Sequence, residues 1–134
     1  MSITSINTTP ARHRIGAWIL QSVVAVAFFA AGAAKLAGVA YMVQLFEQIG
    51  LGQGFRYITG LVEVVGALAL IYPGLASFGG LWLGGTMLFA VQAHLFVLHT
   101  SPVPAVVLGL LNTLIVYLRR DELGSVLRDA VKRV

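Results

Sequence analysis

Residues 15–38 have the sequence IGAWILQSVVAVAFFAAGAAKLAG, in which Gln21 and Lys35 are the only strongly polar interruptions. An α-helix rises 1.5 Å per residue, so a helix over this stretch is about 36 Å long. The hydrocarbon core of a bilayer is about 30 Å thick. The run is also too long for the apolar region of a typical signal peptide. It therefore predicts an uncleaved first transmembrane helix.

The composition of the whole chain agrees with this prediction. Of the 134 residues, 58% are hydrophobic and only 10% are charged, and the mean hydropathy is +0.89. A water-soluble domain carries about 25% charged residues, because its surface must be solvated. The chain has no cysteine, three histidines and five acidic residues, so we expect neither thiol chemistry nor a metal site. The composition predicts an integral membrane protein.

Three more apolar runs follow, each bounded by Gly, Pro or charged residues. We predict transmembrane helices at residues 15–38, 55–72, 75–98 and 103–118. After the first of them, the sequence YMVQLFEQI at residues 41–49 predicts a short amphipathic helix in the membrane interface. The expected fold is all-α, an antiparallel bundle of four transmembrane helices in one membrane domain over residues 15–118. Residues 1–14 form a predicted polar tail, and residues 119–134 form a basic, amphipathic one.

The basic residues predict the orientation. Seven of the nine Lys and Arg residues lie near the two chain ends, namely Arg12, Arg14, Arg119, Arg120, Arg128, Lys132 and Arg133. Four spans bring both ends to one side, and the positive-inside rule makes that side cytoplasmic. We therefore expect a protein of the cell's inner membrane with cytoplasmic termini. The net charge is +4, and the basic residues flank apolar segments. The sequence has no dense basic patch with interleaved aromatic residues that would indicate nucleic-acid binding.

Polar side chains of all four predicted spans lie at similar depth. Counted at 1.5 Å per residue, they fall in the outer half of the bundle: Lys35, Glu63, Gln92, His94 and Asn112. The cytoplasmic half has little beyond Gln21, Ser77 and Thr86. We predict that the outer group forms a cluster for ligand binding or proton handling.

Two interpretations of this cluster remain open. An ionised side chain at the centre of a membrane helix costs about 2.5–3.5 kcal/mol, so Glu63 should face the bundle interior and have a partner. In the first interpretation, a Lys35–Glu63 ion pair serves only to fix the register of the helices. Alternatively, the group forms a site that opens to the outer face. His94 could equally satisfy its ring nitrogens on a neighbouring helix.

Small residues are expected at the helix contacts. Gly80 and Gly84 form a GxxxG pair, a spacing that lets two helix backbones approach closely in lipid. We favour packing within the bundle, and a homo-oligomer through Gly80 and Gly84 is the alternative. The sequence contains no Gly-rich phosphate loop, nucleophile elbow or metalloprotease motif, so no catalytic residue is assigned.

Two segments resemble the DoxX-like family of small four-helix membrane proteins. The sequence FFAAGAAKLAG at residues 28–38 is similar to its first-helix pattern Gly-x-x-Lys-Leu. The sequence GLVEVVGALAL at residues 60–70 is similar to its second-helix pattern, in which a Gly and a Glu precede a Gly-rich apolar run. The resemblance covers about residues 15–120. It implies that Lys35 and Glu63 match family positions, whereas the other cluster residues rest on the depth argument alone.

The resemblance also implies a function. The family takes its name from a membrane subunit associated with a quinone-linked thiosulfate oxidoreductase, and other relatives occur in complexes that handle oxidative stress. This implies an accessory subunit of a quinone-linked redox complex, not catalytic by itself, with a quinone or lipid as its ligand and a redox enzyme as its partner.

Two other functions remain open. A small-solute transporter or channel would need polar residues through the full depth of the membrane. A chaperone or interaction protein would use the basic tail at residues 119–134 to contact a partner or anionic lipid.

Overall fold

The computed structural model describes residues 11–134, and within them every regular element is helical. Six helices follow one another: α1 (Ala11–Ala37), α2 (Ala40–Ile49), α3 (Gln53–Ile71), α4 (Ala76–Gln92), α5 (Val103–Leu118) and α6 (Arg120–Lys132). A π-helical segment, Ala93–Val97, continues α4. The all-α class expected from the sequence is confirmed over this part of the chain.

Three elements are long and apolar enough to cross a membrane: α1, α3, and α4 together with its π-helical segment. Helix α5 has 16 residues and is about 24 Å long, which is shorter than a hydrocarbon core of about 30 Å. It counts as a fourth candidate only when joined to α6, which is bent from it by 61°. The helices therefore fit a bilayer with three or four spans.

The ends of the chain differ in part from the predicted boundaries. Residues 1–10 of the predicted polar tail lie outside the described residues, and residues 11–14 belong to α1.

Helix α2 is capped by Gly50, whose φ of 81° is in the left-handed region and whose N–H donates to the carbonyls of Phe46 and Glu47. That turn folds α2 back beside α3, where Gln53 Nε2 donates to the Val43 carbonyl at 3.0 Å.

Helices α1 and α3 run antiparallel and cross at a pair of glycines. A methyl group added to Gly32 would lie 2.7 Å from the carbonyl oxygen of Gly60, and one added to Gly60 would lie 3.0 Å from that of Gly32. These separations are too short for any side chain. The crossing therefore depends on glycine at both positions.

Helices α4 and α5 pack in the same way around the GxxxG pair. A methyl group on Gly80 would lie 3.1 Å from the Asn112 carbonyl oxygen and 2.9 Å from Val116 Cγ2. The Gly80 side of α4 is therefore occupied by α5 of the same chain.

The core and the surface differ little in polarity, as expected for a protein in lipid. Phe28, Leu70 and Leu83 are almost fully buried, while Phe89 and Val26 remain 74% and 70% exposed. Apolar side chains at such exposure are normal where the surrounding solvent is lipid. The exposed apolar surface fits a bilayer environment.

We predict that Gly32→Ala separates α1 from α3, because its methyl group overlaps the Gly60 carbonyl. Overpacking of this kind costs about 1–3 kcal/mol, so the melting temperature of the purified protein in detergent should fall by several degrees. Gly16→Ala in the same helix is the matched control, since a methyl group there meets nothing within 4 Å. Equal melting temperatures for the two variants would contradict the close crossing.

Candidate functional site

A buried ion pair joins α1 and α3. Lys35 Nζ lies 2.7 Å from Glu63 Oε2, and the two side chains are only 11% and 8% exposed. Each residue follows a crossing glycine by three positions, which places glycine and charged residue on the same helix face. The backbone approach at Gly32 and Gly60 therefore brings the two charged groups together.

The pair retains unused hydrogen-bonding capacity. An ammonium group has three donors, and a carboxylate has two acceptor oxygens. Among residues 11–134, Lys35 Nζ makes a single hydrogen bond, to Glu63 Oε2, and Glu63 Oε1 accepts none. Two donors and one carboxylate oxygen are therefore available to a bound molecule.

Arg56 fixes the end of α1 beside this pair. Its Nη1 donates to the carbonyl of Lys35, its Nε donates to Gln53 Oε1 at 2.6 Å, and its guanidinium lies 4.2 Å from the centre of the Tyr57 ring. The residue is 4% exposed. A cation at a helix C-terminus satisfies carbonyls that have no partner within the helix. The sequence offers one signal for this role. Arg56 lies one turn after the start of α3, and that start lies at the same end of the bundle as the C-terminus of α1.

A cavity of about 530 Å³ borders the ion pair. Its walls come from the end of α1, from α2, α3 and α4, and from the π-helical segment. They are mainly apolar, with Phe46, Phe55, Met87 and Phe96 among them. Phe46 and Phe55 contact each other, with ring centroids 5.9 Å apart. Lys35 and Glu63 are the charged side chains in this wall. The cavity suits a molecule with an apolar body and a hydrogen-bonding group.

Gln92 and His94 also line the cavity, as the depth argument predicts. Gln92 is exposed, and His94 is half-buried in the π-helical segment. His94 Nδ1 lies 2.7 Å from Thr100 Oγ1, and the Thr100 N–H donates to the His94 carbonyl. The structure therefore brings four of the five predicted residues to one cavity.

Asn112 is placed elsewhere. It is fully buried, its Nδ2 donates to the Leu108 carbonyl at 2.8 Å, and its Oδ1 has no partner among the described residues. Its backbone and Cβ pack against Gly80 and Gly84 of α4. Depth along a helix axis does not specify the direction of a side chain around it. Thr86, which the sequence assigns to the opposite half, lines the cavity instead.

A second polar group lies at the other end of the helices. Gln21 Nε2 donates to the Leu70 carbonyl at 2.6 Å, and Gln21 Oε1 accepts from Arg119 Nε at 2.8 Å. Ser77 Oγ donates to the Arg119 carbonyl, and Arg119 Nη1 lies 3.7 Å from Glu122 Oε1. The sequence alone does not reveal this network, because the Gln21 and Arg119 that it joins are 98 positions apart.

The described residues bring no three His, Asp or Glu side chains into an arrangement that would hold a metal ion. The arrangement around Lys35 and Glu63 can instead donate to an acceptor oxygen, accept from a hydroxyl and exclude water from an apolar ring or chain. Its chemistry is that of a binding site for a lipid-soluble molecule.

Comparison with known proteins gives one match. The family model described as the DoxX-like family matches residues 19–116, well over half of the chain. The matched segment includes the crossing glycines, the ion pair and most of the cavity wall. No curated protein and no solved structure matches the chain.

We predict strong coupling between the two charged residues. Removal of one partner from a buried ion pair costs about 3–5 kcal/mol, because the other charge is left uncompensated. Lys35→Met and Glu63→Gln should each lower the melting temperature strongly, and the double variant should lose much less than the two single losses added together. Thermal unfolding in detergent measures this, with Lys132→Met, at an exposed residue, as the control. Additive losses would contradict the coupling.

Proposed function

Because the chain belongs to the DoxX-like family, we propose that it is an accessory membrane subunit of a quinone-linked redox complex. It is an integral membrane protein, with apolar helices that fit a bilayer. In this proposal the chain binds a quinone or a similar lipid beneath its outer face and does not catalyse the reaction by itself. The observation that carries the proposal is the buried Lys35–Glu63 pair in the wall of a mainly apolar cavity.

The proposed topology is an antiparallel four-helix bundle with both termini cytoplasmic, in the inner membrane. Two observations support it: α1 and α3 run antiparallel, as do α4 and α5, and most basic residues lie at the end where α1 starts and α5 ends. We assign α5 as a short fourth span, α2 as an interfacial helix and α6 as the basic cytoplasmic tail. One membrane domain then covers residues 15–118.

The proposed roles follow from the unused hydrogen bonds. A quinone is an apolar ring with two carbonyl oxygens, and such a ligand needs an apolar cleft with a few placed polar groups. We assign Lys35 as the donor to a ligand oxygen, and Glu63 either as the partner of Lys35 or as a proton relay. His94, at the same cavity, donates or accepts at the ligand's other end.

A transporter or channel is less well supported. Polar groups lie near both ends of the helices, but the buried side chains between them include Val24, Phe28 and Leu83, and no continuous polar path joins the two ends within residues 11–134. Solute flux into liposomes that is lost on Glu63→Gln would favour transport. Gly80 is buried against α5, so a homo-oligomer through the GxxxG face would use the half-buried Gly84 and the groove that it lines.

An interaction protein or chaperone is the third possibility, and one observation favours it. The tail forms a helix, α6, with a strong separation of apolar and polar faces. If a variant without α6 retains full function, an interaction or chaperone function of this helix is excluded.

We expect a quinone to copurify with the protein when it is extracted gently from its own membrane. Native mass spectrometry with identification of the bound small molecules measures this directly. Ala90→Phe places an aromatic ring in the cavity wall without a change of charge, so it should displace the bound quinone. Leu61→Phe adds a ring at an exposed position of α3 and should leave quinone binding intact.

Two outcomes would count against the proposal. The first is a protein that carries only bulk phospholipid. The second is a quinone that remains bound at the parental level in Ala90→Phe, because the cavity would then not be its site. Copurification of a redox enzyme, in the same experiment, would identify the partner.

A further inference from the structure

A second cavity, also about 530 Å³, lies at the basic end of the protein. Its walls are the first turns of α1 and the corner where α5 bends into α6. The charged and titratable residues in its wall are His13, Arg14, Arg119, Arg120, Asp121 and Glu122. Three arginines therefore face two carboxylates, so the wall carries an excess of positive charge.

Arg119 holds the corner in place and keeps a free donor. Its Nε is bonded to the buried Gln21, and its Nη1 is paired with Glu122. Its Nη2, also buried, has no hydrogen-bond partner among residues 11–134. A buried donor without a partner costs about 1–3 kcal/mol, so an acceptor supplied by a ligand would be stabilising.

The remaining charges in the wall leave room for an anion. Arg14 forms no ion pair within residues 11–134, and Arg120 bonds only to the carbonyl of Tyr117, at 3.2 Å. Of the two carboxylates, Asp121 is exposed. Glu122 has one oxygen 3.7 Å from Arg119 Nη1 and one buried oxygen without a hydrogen-bond partner among residues 11–134. The available groups are therefore two guanidiniums and the free Nη2.

Aromatic residues locate this corner at the membrane surface. The Arg119 guanidinium lies 5.2 Å from the centre of the Trp18 ring. The Arg120 guanidinium lies 4.5 Å from the centre of the Tyr117 ring. Both rings are exposed, 39% and 62% respectively. Trp and Tyr concentrate at the depth of the lipid headgroups.

Helix α6 carries an apolar stripe, most of which is exposed. Its apolar residues recur at helical spacing, as Leu123, Val126, Leu127, Ala130 and Val131. Leu127 and Val131 are 56% and 76% exposed. Such a stripe, next to basic residues, is typical of a helix that lies in the membrane interface.

We propose that the corner between α5 and α6 binds the phosphate of an anionic phospholipid headgroup. The guanidiniums of Arg14 and Arg120 and the free Nη2 of Arg119 donate to the phosphate oxygens, while the apolar stripe of α6 covers the acyl chains beside it. Guanidinium groups bind phosphate through several parallel hydrogen bonds. The inference is independent of any ligand at the Lys35–Glu63 cavity.

Competition between lipids tests the site. The full-length protein in detergent micelles receives equimolar phosphatidylglycerol and phosphatidylcholine, and native mass spectrometry measures the ratio of the two bound lipids. Arg14→Gln combined with Arg120→Gln should reduce the preference for phosphatidylglycerol at least about tenfold. Arg128→Gln combined with Lys132→Gln removes the same charge from the polar face of α6 and should change the preference less than about threefold.

Equal losses in the two double variants would overturn the proposal, because the preference would then come from general charge. Complete displacement of phosphatidylglycerol by inorganic phosphate would overturn it too, since the site would then bind a soluble anion. Arg14→Lys combined with Arg120→Lys retains the charge but removes the parallel hydrogen bonds of the guanidiniums, so it should reduce the preference part of the way. It replaces the glutamine variant if that protein does not fold, and an unchanged preference in the lysine variant would then count against the site.

Discussion

The close contact between the backbones of α1 and α3 is the constraint on which the rest of this structure depends. Gly32 and Gly60 let the two helices approach until each carbonyl oxygen occupies the place of a side chain on the other helix. One turn further along each helix, Lys35 and Glu63 meet at 2.7 Å. A wider crossing would leave both charges without a partner in a medium that solvates neither of them. The ion pair between Lys35 and Glu63 therefore depends on glycine at positions 32 and 60.

The unused hydrogen bonds of the ion pair are the basis of the binding role proposed for it. Two buried charges repay their loss of solvation only when their remaining hydrogen bonds are also satisfied. Here two ammonium donors and one carboxylate oxygen are unused within the described residues, and all lie near an apolar cavity. An apolar pair of similar size would hold the helices together at lower cost. The arrangement is therefore typical of a site that is completed by another molecule.

The sequence predicts those features that depend on position along a helix axis. Long apolar runs predict the helices, and the placement of Lys35 and Glu63 in the same half of the bundle predicts that they can pair. Features that depend on direction around the axis are not predictable in this way, which is why Asn112 faces α4 and Thr86 faces the cavity. Contacts between distant segments are not predictable in this way either. Arg119, for example, donates to Gln21, which is 98 positions away in the sequence. The 61° bend between α5 and α6 is not predictable from the sequence either, because hydropathy does not register where a helix bends.

The separation of Lys35 and Glu63 along the chain has a consequence for biogenesis. Glu63 is 28 positions beyond Lys35, and a ribosome adds about 5–20 residues per second. The first helix therefore exists for about 1–6 s with an unpaired cation near its C-terminal end. During that interval the flexible lysine side chain can extend towards the lipid headgroups, where water solvates the ammonium. Synthesis of α3 then draws it inward, so the ion pair forms as a late step of assembly in the membrane.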